Sequence, residues 1–334
     1  MYTKAQRKKV VVIGGGTGTY NLLRGLKEHH ESLDITKIVP MADSGGSNAR
    51  IRDEFGLLPL SDVNRGLAAL SSDVEETGQL LRQLFLYRFN KGNGIEGHNF
   101  GNLLLVALTD MLGNEEAAIK AASRILRIRG TVLPVTADDI HLVATYDDGE
   151  VVTGEHDIDE PTPERENKRI TNLRIEPEGT VNAETATALA EADLIIMGPG
   201  DLYTSILASC IITGVPELLR DSPAKLVYVS NLMSRPGQTR TMQVSDYVSE
   251  VEKYVHRKPD TVLINTTPLP EDVLHTYESE GDYPVVDDLG DDTAVVRDDF
   301  LATTLVKKKS GDVLARSLIR HDGRKLTNAI LKLL

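Results

Sequence analysis

The 334-residue chain carries 50 acidic against 37 basic residues, a formal net charge of -13, with 40% hydrophobic residues. That length and apolar content suffice for one large α/β domain or two modest ones, and the negative balance argues against an electrostatic grip on nucleic acid or on an anionic membrane surface. Cys210 is the only cysteine, which excludes an intramolecular disulfide and a cysteine-rich zinc site, and the eight histidines include no H-x-x-x-H pair.

KVVVI (residues 9 to 13) is a short apolar, β-branched run ending in glycines, the pattern of a strand buried on both faces. Leu22, Leu23 and Leu26 in TYNLLRGLKEH have helical spacing, and ITKIVPM then supplies a second strand. A strand, glycine loop, helix and strand in that order open a doubly wound, mostly parallel sheet of Rossmann-like type. Helical segments at about 62 to 90 and 101 to 113 follow, and then the helix AAIKAASRIL.

From 131 to 180 the pattern becomes β-rich: HLVATYDDGEVVTGEHDI gives two strands around an Asp-Asp-Gly turn, and KRITNLRIEP a third. Alternation resumes with ETATALAEA, DLIIM, GPGD, LYTSILASCII, KLVYVS, NLMSRPGQT, VSDYVSEVEKYVH and TVLIN, and the chain closes on the helix RKLTNAILKLL. Because the second α/β run completes the first sheet, residues 1 to 334 are expected to form one composite domain with a small β-rich insertion. Cys210 lies on an apolar face and reads as core filler; Asp246, Tyr247 and the acidic run 287 to 299 read as solvated surface. No run approaches the roughly 18 apolar residues of a membrane span, and MYTKAQRKK leads straight into a strand, so a cytoplasmic protein without membrane insertion is expected.

Six segments carry candidate chemistry. In IGGGTGT (13 to 19), Gly15, Gly16, Thr17 and Gly18 offer backbone N–H groups at a helix start, where a phosphate is favoured. Thr19 stands where the dinucleotide fingerprint has its last glycine, and no Lys-Ser or Lys-Thr follows, so the loop is neither a complete fingerprint nor a P-loop. GPGDLYTS (198 to 205) repeats that logic with Gly198, Gly200 and the hydroxyls of Thr204 and Ser205. In MADSGGSNAR (41 to 50), Asp43 suits a divalent cation, a ribose hydroxyl or a helix cap, with Gly45, Gly46, Ser47 and Arg50 around it.

SDVNRGLAAL places Asp62 and Arg65 at a helix start, where Asp62 is either an N-cap neighbour or a second carboxylate beside Asp43 for a cation such as magnesium. HNFGN offers the amides of Asn99 and Asn102 for a base or sugar, and SNLMSRPGQT gives Asn231, Arg235 and Thr239 at another strand end. Several such loops at the carboxyl ends of parallel strands reinforce one another as a ligand site.

In order, G-G-G-T-G, D-S-G-G-S, H-N-F-G-N-L, G-P-G-D-L-Y-T-S and N-L-M-S-R-P-G-Q-T resemble the YvcK-type gluconeogenesis factors, within the superfamily of the 2-phospho-L-lactate transferase CofD. The resemblance runs from about residue 9 to the last helix, and RILRIRGTVLPVTADDIHLVATYDDGEVVTGE is similar to the joining segment of the YvcK branch. It implies a cytoplasmic regulatory protein that binds a UDP-sugar or another nucleoside diphosphate and supports cell shape during gluconeogenic growth. A homo-oligomer and a cell-envelope regulatory partner fit that role, with no bound flavin or NAD. The other branch implies a metal-dependent transferase moving a phospholactyl group from a guanosine diphosphate carrier to a deazaflavin, with Asp43 and Asp62 as catalytic, magnesium-holding residues.

Three positions depart from the family pattern. Ser44 stands where a second aspartate is usual, Asn64-Arg65 reverses a usual Arg-Asn order, and Asp201 replaces a serine. The first removes a carboxylate that chemistry would use, so the loops look more like a grip than a catalyst.

Overall fold

In the computed structural model, residues 6–42, 45, 58–72, 76–303 and 318–334 are described. Asp43, Ser44, Gly46, Ser47 and Arg50 lie outside the described residues.

Ten strands are present among the described residues: β1 (Lys8–Ile13), β2 (Leu33–Val39), β3 (Thr131–Pro134), β4 (His141–Tyr146), β5 (Val151–Thr153), β6 (Ile170–Glu176), β7 (Leu194–Met197), β8 (Lys225–Val229), β9 (Thr261–Asn265) and β10 (Val295–Asp298). Seven form one sheet in the order β10-β9-β8-β7-β1-β2-β3, and every pairing in it is parallel. The fold is therefore α/β and doubly wound, as the alternation predicts. Val10 to Ile13 and Leu194 to Met197 are buried, because helices cover both faces of the central strands and leave no face for polar alternation.

The chain runs outward from β1 through β2 to β3, then returns to lay β7 against the other side of β1 before continuing outward to β10. That reversal opens a crevice between β1 and β7 at their carboxyl ends, the usual ligand position in open α/β sheets. The two glycine loops emerge there.

The β-rich stretch divides. Residues 131–134 are the β3 edge of the parallel sheet, while β5-β4-β6 form a separate antiparallel sheet whose β4–β5 hairpin turns at Gly149, φ +88°. Ile140, Leu142, Ala144 and Leu173 from this part join the apolar cluster that also holds Val10, Leu194 and Ile330.

Four local expectations need correction. The helical region at 62 to 90 is two helices, Ser61–Leu70 and Glu76–Phe85. The segment after GPGD begins as a π-helix, Leu202–Leu207, before the helical turn Ala208–Cys210. The acidic run contains β10, with Val295 and Val296 half-buried against the core and Arg297 donating to Asp287 at 2.6 Å, so the acidic residues flank a real edge strand. Tyr247 is fully buried and donates to Thr239 Oγ1 at 2.8 Å, while neighbouring Asp246 closes a capping box with Gln243. Cys210 is buried as expected, and burial pushes its thiol well above the usual range. No helix among the described residues is long and apolar enough to cross a membrane.

Candidate functional site

A cleft of about 410 Å³ opens at the reversal point, lined by Gly15 to Gly18, Gly45, Asp62, Arg65, Gly200, Thr204 and Asn231 among others. The glycine turn that begins helix Gly16–Lys27 and the GPGD loop are in direct contact there. A Cβ on Gly18 would lie 2.7 Å from the Pro199 carbonyl oxygen, and the Thr19 hydroxyl donates to that oxygen at 2.9 Å. Thr19, which breaks the dinucleotide fingerprint, thus has a structural task. Gly16 has φ +73°, a left-handed conformation that glycine adopts without penalty. Asn231, following β8, donates to the Gly200 carbonyl at 2.8 Å and accepts from the Tyr228 hydroxyl at 3.0 Å, strapping a third loop to the second.

The backbone donors of the turn are only partly open. Gly15 N–H donates to Ser205 Oγ at 2.6 Å, and Gly16 N–H donates to Asp62 Oδ1 at 3.0 Å. Thr17 and Gly18 follow in the first helical turn, where N–H groups have no acceptor inside the helix, and both residues line the cleft. They are the donors left for an anion.

Asp62 is a brace. Its Oδ1 also accepts from Arg65 at 3.2 Å, and a Cβ on Gly15 would collide with Oδ2, which is why glycine stands there. Burial pushes the Asp62 carboxyl up, but Arg65, Lys37 and the Gly16 N–H outweigh it and hold the group below the usual carboxylate range. Lys37, fully buried beneath, donates to the Asp62 carbonyl at 3.1 Å; burial brings its ammonium down to about 8 despite the nearby carboxylate. Among the described residues no group of three or more His, Cys, Asp or Glu is placed to hold a metal ion, and Asp62 Oδ1 is engaged by an amide and a guanidinium. Asp43, the other carboxylate expected to hold magnesium, lies outside the described residues.

Asn99 and Asn102 are not in the cleft lining. Asn99 caps helix Phe100–Leu112 by accepting from the Gly101 and Asn102 amides, and Asn64 Nδ2 donates to both Asn99 Oδ1 and Asn102 Oδ1. Asn102 in turn donates to Ser61 Oγ at 3.2 Å. The cluster lies outside the cleft lining, paired through Asn64 Nδ2 while Asn64 Oδ1 keeps no partner, so the geometry does not put Asn99 and Asn102 in the expected direct contact with a ligand. Gly198, φ +84°, also lies behind the lining, supporting the loop rather than facing the cavity.

Beyond Gly200 the cleft changes character. Asp201 lies 3.7 Å from Arg235, which also faces Asp159 at 3.3 Å and Asp282 at 4.0 Å. Asp282 and His321 line this end at 4% and 5% exposure, and Asp282 Oδ1 and His321 Nε2 have no hydrogen-bond partner. Burial raises the Asp282 carboxyl to about 7 against the opposing effect of Arg235, and burial lowers the His321 imidazole to about 4. Asp159, Asp282 and His321 carry no sequence signal. They come from the β-rich insertion, a loop after helix Glu271–Ser279 and the segment before the last helix, with no spacing to join them.

A family model described as 2-phospho-L-lactate transferase CofD matches residues 10–301. The chain belongs to the CofD family. Within it, the chain is similar to a protein named gluconeogenesis factor from Bacillus subtilis, 38% identical over 334 residues, covering 98% of this chain and 99% of the relative. A gluconeogenesis factor from Listeria monocytogenes is 34% identical, covering 99% and 97%. Two solved structures of a UPF0052-family protein from Bacillus halodurans superpose on this CofD-family chain with TM-scores of 0.85 and 0.86 at 35% and 36% identity, each covering 98% of it and 99% and 100% of the solved chain.

Proposed function

We propose that this CofD-family member is a cytoplasmic gluconeogenesis factor that acts by binding a UDP-sugar, as a sensor rather than a catalyst. The reading is supported above all by the glycine turn at the sheet reversal, where Thr17 and Gly18 offer first-turn amides to a diphosphate and Arg65 lines the same wall. Asn231 and Thr204 border the space left for the rest of the ligand. The names of the relatives favour a role in gluconeogenesis, to which the proposal adds support of cell shape during gluconeogenic growth. A homo-oligomer or an envelope-regulating partner would relay the bound state.

The second reading, phospholactyl transfer from a guanosine diphosphate carrier, draws on the description of the family model. It needs a divalent cation, for which Asp62 would have to serve while its Oδ1 accepts from Arg65 and the Gly16 amide. Thermal shifts with UDP-glucose, UDP-N-acetylglucosamine, GDP and NAD, with and without magnesium, separate the two. Stabilisation by the UDP-sugars alone is expected. Turnover of a guanosine diphospholactate with deazaflavin would overturn the sensor reading.

A further inference from the structure

The Arg235 end of the cleft has a charge pattern that selects among ligands. Glu155, Asp159, Glu160, Asp201 and Asp282 line it, against the cations Arg235 and Arg320 and the histidines His156 and His321. His321 is buried in the cleft wall and kept neutral by that burial, and His156 faces Glu160 at 3.9 Å. The local balance is negative.

Three buried side chains here are incompletely satisfied: Asp282 Oδ1 accepts no hydrogen bond, Arg235 Nε donates none, and His321 Nε2 neither donates nor accepts one. A buried polar atom without a partner costs free energy that a bound polar group can recover. The groups that suit a carboxylate oxygen, an imidazole nitrogen and a guanidinium together are hydroxyls, which donate to the first and accept from the last. A carboxylate on the ligand would instead meet Asp201, and above about pH 7 an ionised Asp282, as like charges.

We propose that Asp282, His321 and Arg235 form the specificity end of the cleft, which accepts an uncharged, hydroxyl-rich sugar and rejects one bearing a carboxylate. This rests on the nucleotide-sugar reading above. Gly200 meets the glycine turn while the adjacent Asp201 faces Arg235, so the GPGD loop borders both the diphosphate end and the sugar end. Asp282 acts by accepting a sugar hydroxyl and repelling an anion; Arg235 holds the surrounding carboxylates in place.

The test is calorimetric titration of the full chain at about pH 8.5, above the raised Asp282 value, with UDP, UDP-glucose and UDP-glucuronic acid, which differ only at the sugar. UDP-glucose should bind more tightly than UDP-glucuronic acid by about tenfold or more, a discrimination of at least ~1.4 kcal/mol. In Asp282→Asn, which keeps the shape and removes the charge, that ratio should shrink while UDP binding stays unchanged. Equal affinities of the wild type for the two sugars overturn the inference and leave the nucleotide-sugar reading standing. Tighter binding of UDP-glucuronic acid does the same. Failure of all three to bind overturns both. The wild-type ratio needs no variant, so the outcome stands even if Asp282→Asn folds poorly.

Discussion

At the glycine turn the Gly15 and Gly16 amides are spent on Ser205 and Asp62, and Asp62 Oδ1 also holds Arg65 Nη1, whereas across the GPGD loop Asp282 and His321 keep polar atoms without a partner in the same cleft. The first region is largely braced within itself and leaves two amides and the cleft-lining Arg65 for a ligand. The second is completed only by something else. Substitutions should divide accordingly: those at the turn should cost stability, and those at the Arg235 end should change pH dependence and ligand preference.

The largest expected effect comes from the incomplete end. The Asp282 carboxyl, raised to about 7 by burial, favours the fold fully only below its unfolded value of 3.8. That contribution is lost as pH rises through the folded value, because the unfolded chain releases the proton first. Relative to wild type, Asp282→Asn should therefore gain stability from pH 4 to pH 7, by roughly 4 kcal/mol at the top of that range. Chemical denaturation of both proteins at several pH values checks this. A constant difference would show that Asp282 is satisfied in the fold, which would erase the contrast between the ends.

At the turn, Gly18→Val would drive a side chain into the Pro199 carbonyl, whose oxygen is only 2.7 Å from the Cβ position. A loss of about 3 kcal/mol, read from denaturation midpoints, is expected for overpacking against backbone that has no room to move. Asp62→Ala leaves the Gly16 amide without its acceptor and should cost about 2 kcal/mol. Ser205→Ala removes one acceptor from Gly15 and should cost about 1 kcal/mol. A Ser205 variant as damaging as the Asp62 variant would mean that the two contacts act as one unit rather than as a graded brace.

Legibility in the sequence follows the same division. Glycine loops declare themselves because a tight turn and a close approach each demand a residue without a side chain, so IGGGTGT and GPGD could be placed at the sheet reversal from local pattern alone. The parallel sheet was legible for a similar reason: strands buried on both faces, such as KVVVI and DLIIM, are apolar throughout. Asn99 and Asn102 misled because an amide at a helix start serves the backbone as well as it would serve a ligand, and only the neighbouring Asn64 decides between them. Asp282 and His321 look like ordinary surface residues in sequence. Their meaning comes from burial and from Arg235, residues far apart in the chain that only folding assembles. The strand β10 was hidden by the acidic residues around Val295 and Val296, which flank a short edge strand.

The central claim is that the turn grips a nucleoside diphosphate through amides and arginine, without a cation. Calorimetric titration of the wild-type protein with UDP-N-acetylglucosamine in the presence of a chelator tests it most directly. Saturable one-to-one binding, unchanged when magnesium is added back, is the predicted result; binding that appears only with magnesium, or none under either condition, would contradict it.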